Sequence, residues 1–430
     1  MEKIKKLKKI LKREKIDGYI IPKNDEFFGE YVPDYNDRLN FISNFSGSYG
    51  LALILKNKNY LFVDGRYTHQ AQIQCGKVFK IITLPKKFPA ELLKNKKIVI
   101  GYDPKLYTQK TLNIFFKGSS CILRPLNQNL IDKLWIKKEV SKLNKFYSLP
   151  KKAVGENYKS KIRKLIHILK KKKIDLQFIT SSENISWLLN IRGKDTDYSP
   201  VPNCYLLLDV KKNIYLFCNL KKVDRTFKKI FNDIHILDIN LIEKFFFNIK
   251  NKNILLDVQS CSIFFINLLK KNNKIKNLED PIYLLKSIKS KVEIKNTIKS
   301  HIYDGSALTK FLFWLKKNFK KKKLTEMSVQ KKLFNFRKKN KDFLFSSFPT
   351  ISGSGPNGAI IHYRVTQKSN RALKSGDIYL VDSGGQYNFG TTDVTRTISL
   401  QNSNKRIKNI FTRVLKGHIA VANFKLKKNS

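Results

Sequence analysis

Residues 3–26, KIKKLKKILKREKIDGYIIPKNDE, and residues 159–184, KSKIRKLIHILKKKKIDLQFITSSEN, read as one unit written twice. Each is a helix followed by a short β-rich run, and Asp17 falls on Asp175 at an offset of 158 residues. The likeness continues downstream. LNFISNFSGSYGLALILKNKNYLFVD (39–64) resembles ISWLLNIRGKDTDYSPVPNCYLLLDVKKNIYLF (185–217), with Phe41-Ile42-Ser43-Asn44 against Trp187-Leu188-Leu189-Asn190. Both copies end in a hairpin, turning at LKNKNY (55–60) or DVKKNIY (209–215) between β-rich runs. The spacing predicts two related α/β domains, over residues 1–150 and 151–288. In the first helix Ile4, Leu7, Ile10 and Leu11 share a face. Glu2 and Glu14 sit among its lysines, so a helix packed on a sheet fits better than one lying on a membrane surface.

The remaining residues, 289–430, have another texture. Val292, Ile298, Ile302, Leu308 and Leu312 recur at helical spacing, and the lysine run 320–323 reads as a solvated connection. A second helix follows Thr325, a suitable N-cap. Strand-like runs come next: FLFSSFPTI, AIIHYRVT, GDIYLVDSGG and TTDVTRTISL, before a closing helix in KRIKNIFTRVLKGHIAVANF. The whole reads as an α/β (α+β) chain of three domains. A length of 430 residues agrees, since about 150 residues per domain gives two to four units.

Composition narrows the function classes. Hydrophobic residues make up 42% and there are only 12 Pro and 19 Gly, which excludes a disordered or collagenous chain. Basic residues exceed acidic ones by 86 to 33, a net charge of +53. Of those 86, 73 are Lys and 13 are Arg, spread along the whole chain. A nucleic-acid reader relies on Arg forks for bases and phosphates, so no specific nucleic-acid partner is expected. The charge predicts non-specific attraction to polyanions, screened by salt. Five cysteines without a CxxC spacing fit reduced thiols in a cytoplasmic protein rather than a disulfide framework or structural zinc. No apolar run approaches 18 residues, so no membrane span is expected.

Gly353, Gly355 and Gly358 match G-x-G-x-x-G, and Asp377 follows about 20 residues on. That fingerprint requires a strand before it and a helix after it. Pro356 interrupts the loop here and AIIHYRV is β-branched and aromatic, so a substrate-facing turn is the better reading. Asp382 and Asp393 carry more information. A hairpin centred between Tyr387 and Asn388 places the two opposite each other. Facing strand carboxylates have Cβ atoms about 5 Å apart and repel, so they call for a divalent cation or a shared proton. In a strand through AIIHYRV, Ile360, His362 and Arg364 share one face, which would aim His362 into the same cleft. His418, spaced from Val414 and Leu415 along a helix, reads as a partly buried structural residue. His69, His167, His235 and His301 join no constellation.

TISGSGPNGAIIHYRVT (350–366), VDSGGQYNFGTTDVTRT (381–397) and VLKGHIAVANF (414–424) resemble successive blocks of the Xaa-Pro aminopeptidases, metallopeptidases of the pita-bread fold. NDRLNFISNFSGSYGLALI (36–54), VDGRYTHQAQ (63–72) and ENISWLLNIRG (183–193) resemble the two creatinase/prolidase-type N-terminal domains of the three-domain cytosolic branch. The resemblance implies release of the first residue from peptides with N-terminal Xaa-Pro by an enzyme that is commonly a homodimer. It also implies two divalent metal ions, usually manganese, with Asp382 and Asp393 as metal ligands and His362 as a catalytic residue contacting substrate. One His and two Glu complete the family's ligand set. Residues 394–430 contain no Asp or Glu, so the expectation is a catalytic domain missing its C-terminal part and a chain impaired in activity. A Xaa-Pro dipeptidase and a non-catalytic pita-bread module that binds peptides or polyanions are the alternatives.

Overall fold

The computed structural model describes residues 2–136, 143–321, 323–401 and 403–425. The chain forms two compact units, Met1–Ile298 and Lys299–Ser430.

The first unit holds two six-stranded mixed sheets. One comprises β1 (Gly18–Pro22), β2 (Leu51–Leu55), β3 (Asn59–Asp64), β4 (Lys80–Leu84), β5 (Val99–Tyr102) and β6 (Ile122–Pro125), in the order β4-β3-β2-β1-β5-β6. The other comprises β7 (Leu176–Ile179), β8 (Cys204–Asp209), β9 (Ile214–Cys218), β10 (His235–Asp238), β11 (Asn253–Leu256) and β12 (Lys274–Asn277), in the order β10-β9-β8-β7-β11-β12. The second order is the first with every strand advanced by six, which is the structural counterpart of the sequence repeat. In both sheets the first strand pairs antiparallel with the hairpin strand after it and parallel with the fifth. Central strands such as β1 and β7 are buried along their whole length, so they do not show the alternation of a half-exposed strand.

Helix α1 (Glu2–Arg13) buries Ile4, Leu7 and Leu11 against the first sheet's core. Helix α2 (Tyr158–Lys171) does the same with Ile162, Leu165, Ile166 and Leu169, behind an Asn157 side chain that accepts the Ser160 N–H at 2.8 Å. Burying each such side chain is worth about 1.5–3 kcal/mol. The lysines of α1 lie on its outer face. The two layers meet within this unit: the Ile263 N–H donates to the Tyr107 carbonyl at 2.9 Å and the Tyr205 hydroxyl to the Glu26 carbonyl at 2.8 Å. All five cysteines are free thiols, and four are buried.

The second unit is built on α3 (Lys291–Asn318) and α4 (Glu326–Lys338), the latter capped by Thr325 as expected. Around them lie two three-stranded sheets. β13 (Phe343–Ser346), β16 (Gly385–Tyr387) and β17 (Gly390–Thr391) form one; β14 (Ile351–Ser354), β15 (Ile378–Ser383) and β18 (Val394–Ser399) form the other. Leu308, Phe311, Leu315, Val329, Leu333, Tyr379 and Val381 make the core. The stripe of α3 is not the one expected. Ile298 and Ile302 are exposed, while Ser300 and Asp304 are buried beside Leu308 and Phe311. The cause is Arg337 of α4, which draws Asp304 inward and rotates the covered face toward polar residues. Lys320, Lys321 and Lys323 are solvent-exposed as expected; Lys322 lies outside the described residues. Helix α5 (Lys405–Ala422) has no buried residue, so His418 is exposed rather than partly buried.

Candidate metal centre

β15 alternates: Tyr379, Val381 and Ser383 point inward, and Ile378, Leu380 and Asp382 lie on the other face. Its partner β18 runs antiparallel with Asp382 opposite Thr395 and Ser383 opposite Val394. The expected antiparallel hairpin forms in one register, from Ile378 opposite Ser399 to Tyr387 opposite Gly390, but its strands are interrupted at Gly384 and Asp393. At Gly384 and Thr392 the chain leaves one three-stranded sheet and enters the other, where Gln386 faces Thr391 and Tyr387 faces Gly390. The turn is therefore centred between Asn388 and Phe389, one residue beyond the expected position. Two contacts set it there: the Asn388 N–H donates to the Asp342 carbonyl at 2.9 Å, and the Phe389 ring packs edge-on against Tyr303. Asp382 thus faces Thr395, not Asp393.

The crossing itself explains the paired glycines. A Cβ on Gly384 would lie 1.9 Å from the Thr392 carbonyl oxygen and 2.2 Å from Ser347 Oγ. Only the bare backbone fits that approach. The Gly385 N–H donates to Thr392 Oγ1 at 2.9 Å, and the Ser347 hydroxyl to the Thr392 carbonyl at 2.8 Å. This clamp delivers Asp393 to the end of β15, where its carboxyl group lies beside that of Asp382. Burial first, then the neighbouring Asp382 carboxyl group, raises the Asp393 pKa above its ordinary value. Asp382 Oδ1 is shielded from water and takes no hydrogen bond. An acceptor oxygen in that state, beside a second carboxyl, is suited to a cation.

Below the pair sits a buried polar cluster that sequence reasoning missed. Arg337, 1% exposed, forks onto Asp304 with Nε–Oδ1 at 2.6 Å and Nη2–Oδ2 at 2.9 Å. Its Nη2 also reaches Ser383 Oγ at 3.0 Å, and the Tyr387 hydroxyl donates to Asp304 Oδ1 at 2.9 Å. The cluster pins the residues on either side of the Gly384 crossing, and so the end of β15. Asp304, four residues before Leu308 on the same helix face, was the available signal.

His362 does not stand on a strand. After β14 the chain makes a 3-10 turn, Gly355–Ala359, and His362 follows in a further turn at φ +54°, half-buried. Tyr363 is buried while Ile361 and Arg364 are exposed, so the expected face shared by Ile360, His362 and Arg364 does not exist. The reason is Glu326, fully buried at the start of α4. Its carboxylate accepts the Ser354 N–H at 2.7 Å, the Arg371 N–H at 3.0 Å and the Tyr363 hydroxyl at 2.9 Å, folding the segment into a loop. Gly353 precedes that turn on β14 and no α-helix follows it, so the glycine motif has no dinucleotide geometry. Gly358 in the turn lies against Leu380, on the face of β15 that also carries Asp382. Among the described residues no group of three or more His, Cys, Asp or Glu is placed to hold a metal ion.

Residues 3–117 and 137–293 match creatinase/prolidase N-terminal domains, and residues 295–429 match metallopeptidase family M24. A probable Xaa-Pro aminopeptidase P of Laccaria bicolor is 34% identical over 436 residues, covering 98% of this chain and 68% of the fungal protein. Xaa-Pro aminopeptidase ApepP of Drosophila melanogaster is 33% identical, covering 94% of this chain and 68% of its own. The crystal structure of X-prolyl aminopeptidase from Caenorhabditis elegans, a cytosolic enzyme with a di-nuclear active site, superposes with a TM-score of 0.92. At 28% identity it covers 99% of this chain and 74% of that one. The two repeated α/β domains and the pita-bread unit after them are those of this family, and the chain belongs to the Xaa-Pro aminopeptidases, hydrolases of metallopeptidase family M24.

Proposed function

We propose that this chain is a cytoplasmic metallo-aminopeptidase that releases the first residue from peptides with proline in second position. The domains divide at 1–150, 151–288 and 289–430. The observation that carries the chemistry is the contact between the Asp382 and Asp393 carboxyl groups, with Asp382 Oδ1 buried and unpartnered. That donor set fits a divalent cation, and these two residues are the metal ligands in this reading. The di-nuclear site of the nematode relative supports two ions, for which manganese is our assignment. Bound there, divalent ions supply a Lewis acid that lowers the pKa of water and polarises a carbonyl.

The protein's own part is to hold and orient. A peptide bond preceding proline has no N–H, and proline fixes its φ, so the substrate presents a rigid carbonyl rather than a donor. His362 donates toward the negative charge that develops on that carbonyl oxygen. Its half-buried, left-handed backbone is the kind of costly conformation that clusters at functional sites. Two carboxylates fall short of what two ions require, and the described residues offer no third ligand group. Residues 1–430 alone are therefore expected to bind manganese weakly and to cleave little. The peptide substrate is the specific partner, with a homodimer as the working form. No helix among the described residues is long and apolar enough to cross a membrane.

The test is manganese-dependent release of the first residue from a Xaa-Pro-led peptide, by the protein purified from its source and by residues 1–430. Asp382→Asn should abolish activity in the former, and His362→Ala should cut it about 100-fold or more. Equal turnover of peptides without proline second, or an active Asp382→Asn, would overturn the reading. Robust, chelator-sensitive turnover by residues 1–430 would refute the expectation that they cleave little.

A further inference from the structure

The assignment of His362 leaves open what holds it. Glu326 opens helix α4 and is 0% exposed, yet its carboxylate takes hydrogen bonds from four residues of one segment. Oε1 accepts the Ser354 N–H at 2.7 Å; Oε2 accepts the Arg371 N–H at 3.0 Å and the Tyr363 hydroxyl at 2.9 Å. Asn357 Nδ2 reaches both oxygens at 3.1 Å. The two backbone donors stand at the ends of residues 354–371, and the two side-chain donors stand between them. His362 lies inside that ring, bonded directly to Tyr363. Left-handed backbone at a non-glycine residue is held by its surroundings, and here hydrogen bonds from four residues of the segment converge on one carboxylate.

We propose that Glu326 is a positioning residue: by closing the 354–371 segment around its buried carboxylate, it sets the turn at His362 and the direction of the imidazole. The inference rests on His362 acting at the site, but its first test does not. A carboxylate is acceptor-only, whereas an amide carries an NH2 at one end. Each Glu326 oxygen accepts a backbone N–H, and a backbone N–H cannot reverse. Glu326→Gln therefore sets donor against donor in either amide orientation, with almost no change of shape. Tyr363→Phe removes one of the links, together with the hydroxyl's contacts to Ser369 at 3.0 Å and Asn357 at 2.9 Å inside the same segment, and introduces no clash.

The experiment compares wild type, Glu326→Gln and Tyr363→Phe in residues 1–430 carrying 13C at histidine Cε1, with His362→Ala to assign its resonance. Cooperative thermal unfolding checks the fold of each. The expected result is that the His362 signal shifts and its titration midpoint moves in both variants, while His69 and His167 stay put. An unmoved His362 in folded variants overturns the proposal, and Tyr363→Phe decides alone should Glu326→Gln not fold. In the source protein both variants should lower kcat about tenfold with KM within about twofold, and should move the pH profile. If the resonance moves and kcat does not, Glu326 still positions His362, and it is the catalytic reading of His362 that falls.

Discussion

Asp17 and Asp175 occupy the same place in two sheets. Asp17 Oδ2 accepts the Val99 N–H at 2.9 Å, where β5 begins; Asp175 Oδ2 accepts the Asn253 N–H at 2.7 Å, where β11 begins. Each aspartate's own N–H returns the bond, to the Val99 carbonyl at 2.8 Å and the Asn253 carbonyl at 2.9 Å. A carboxylate just before the first strand thus pins the parallel neighbour, and the repeat preserves that pin across 158 residues.

Removing either pin should cost about 1–2 kcal/mol, because it frees an N–H at a strand end. Asp17→Ala and Asp175→Ala should be additive within about 0.5 kcal/mol, as the two sites share no partner. Asp17→Asn, which keeps an acceptor for Val99, should cost less than Asp17→Ala. Urea midpoints of the three single variants and the double variant check this. A double variant no weaker than one single variant would contradict two independent pins.

Gly384 should tolerate no side chain. Gly384→Ala would put a methyl group 1.9 Å from the Thr392 carbonyl, and the obstruction is backbone that cannot swing aside. The expected loss is about 2–4 kcal/mol, with weakened divalent-metal binding because Asp393 follows Thr392 directly. Gly305 is the internal control. It lies mid-helix in α3 with nothing within 4 Å of an added Cβ, so Gly305→Ala should stabilise by about 0.5–1 kcal/mol. Thermal melts of the two variants should move in opposite directions.

Arg337→Ala should be the most damaging single change in the second unit, at about 3–5 kcal/mol. It leaves Asp304, 2% exposed, as a buried charge that keeps the Tyr387 hydroxyl as a donor but loses its counter-ion. Arg337→Ala with Asp304→Asn should recover part of that loss, because the stranded charge is gone. Circular dichroism melts of the single and double variants measure the recovery, and a double variant worse than the single would refute the argument.

Local periodicity made the repeat and its helices readable, since apolar residues such as Ile4, Leu7 and Leu11 advertise their own covered face. The Asp382/Asp393 pair was legible because carboxylates on a strand are chemically out of place. What the sequence concealed was set from a distance. The turn centre moved by one residue because Asp342 captures Asn388. AIIHYRV has β-branched, aromatic composition, but Glu326 offers its segment better hydrogen bonds than a neighbouring strand could. Ile298 and Ile302 looked like core until Arg337 turned Asp304 inward. Each of these features rests on a polar pairing between residues far apart in sequence, buried at Glu326 and at Arg337, which no window of periodicity detects.

Asp25 gives the molecule a pH dependence whose sign can be worked out. It is 2% exposed, and burial first, then the Glu26 charge, push its pKa from 3.8 up to about 6. A folded-state pKa above the unfolded one means that the fold holds the proton more tightly. Its stabilising contribution is therefore complete below about pH 3.8 and is lost as pH rises through about 6. Near neutrality the buried carboxylate costs about 2–3 kcal/mol relative to a neutral group of the same shape. Asp25→Asn supplies that group and keeps an Oδ1 to accept the Phe27 N–H, which Asp25 takes at 3.0 Å. The variant should match wild type at pH 4 and gain steadily to about 2–3 kcal/mol at pH 7. Urea midpoints of the two proteins at pH 4, 5, 6 and 7 measure the difference directly, with all other titrations cancelling between them. A gap that is constant across the series, or that widens toward acid, would show that Asp25 does not carry the proton the fold assigns to it.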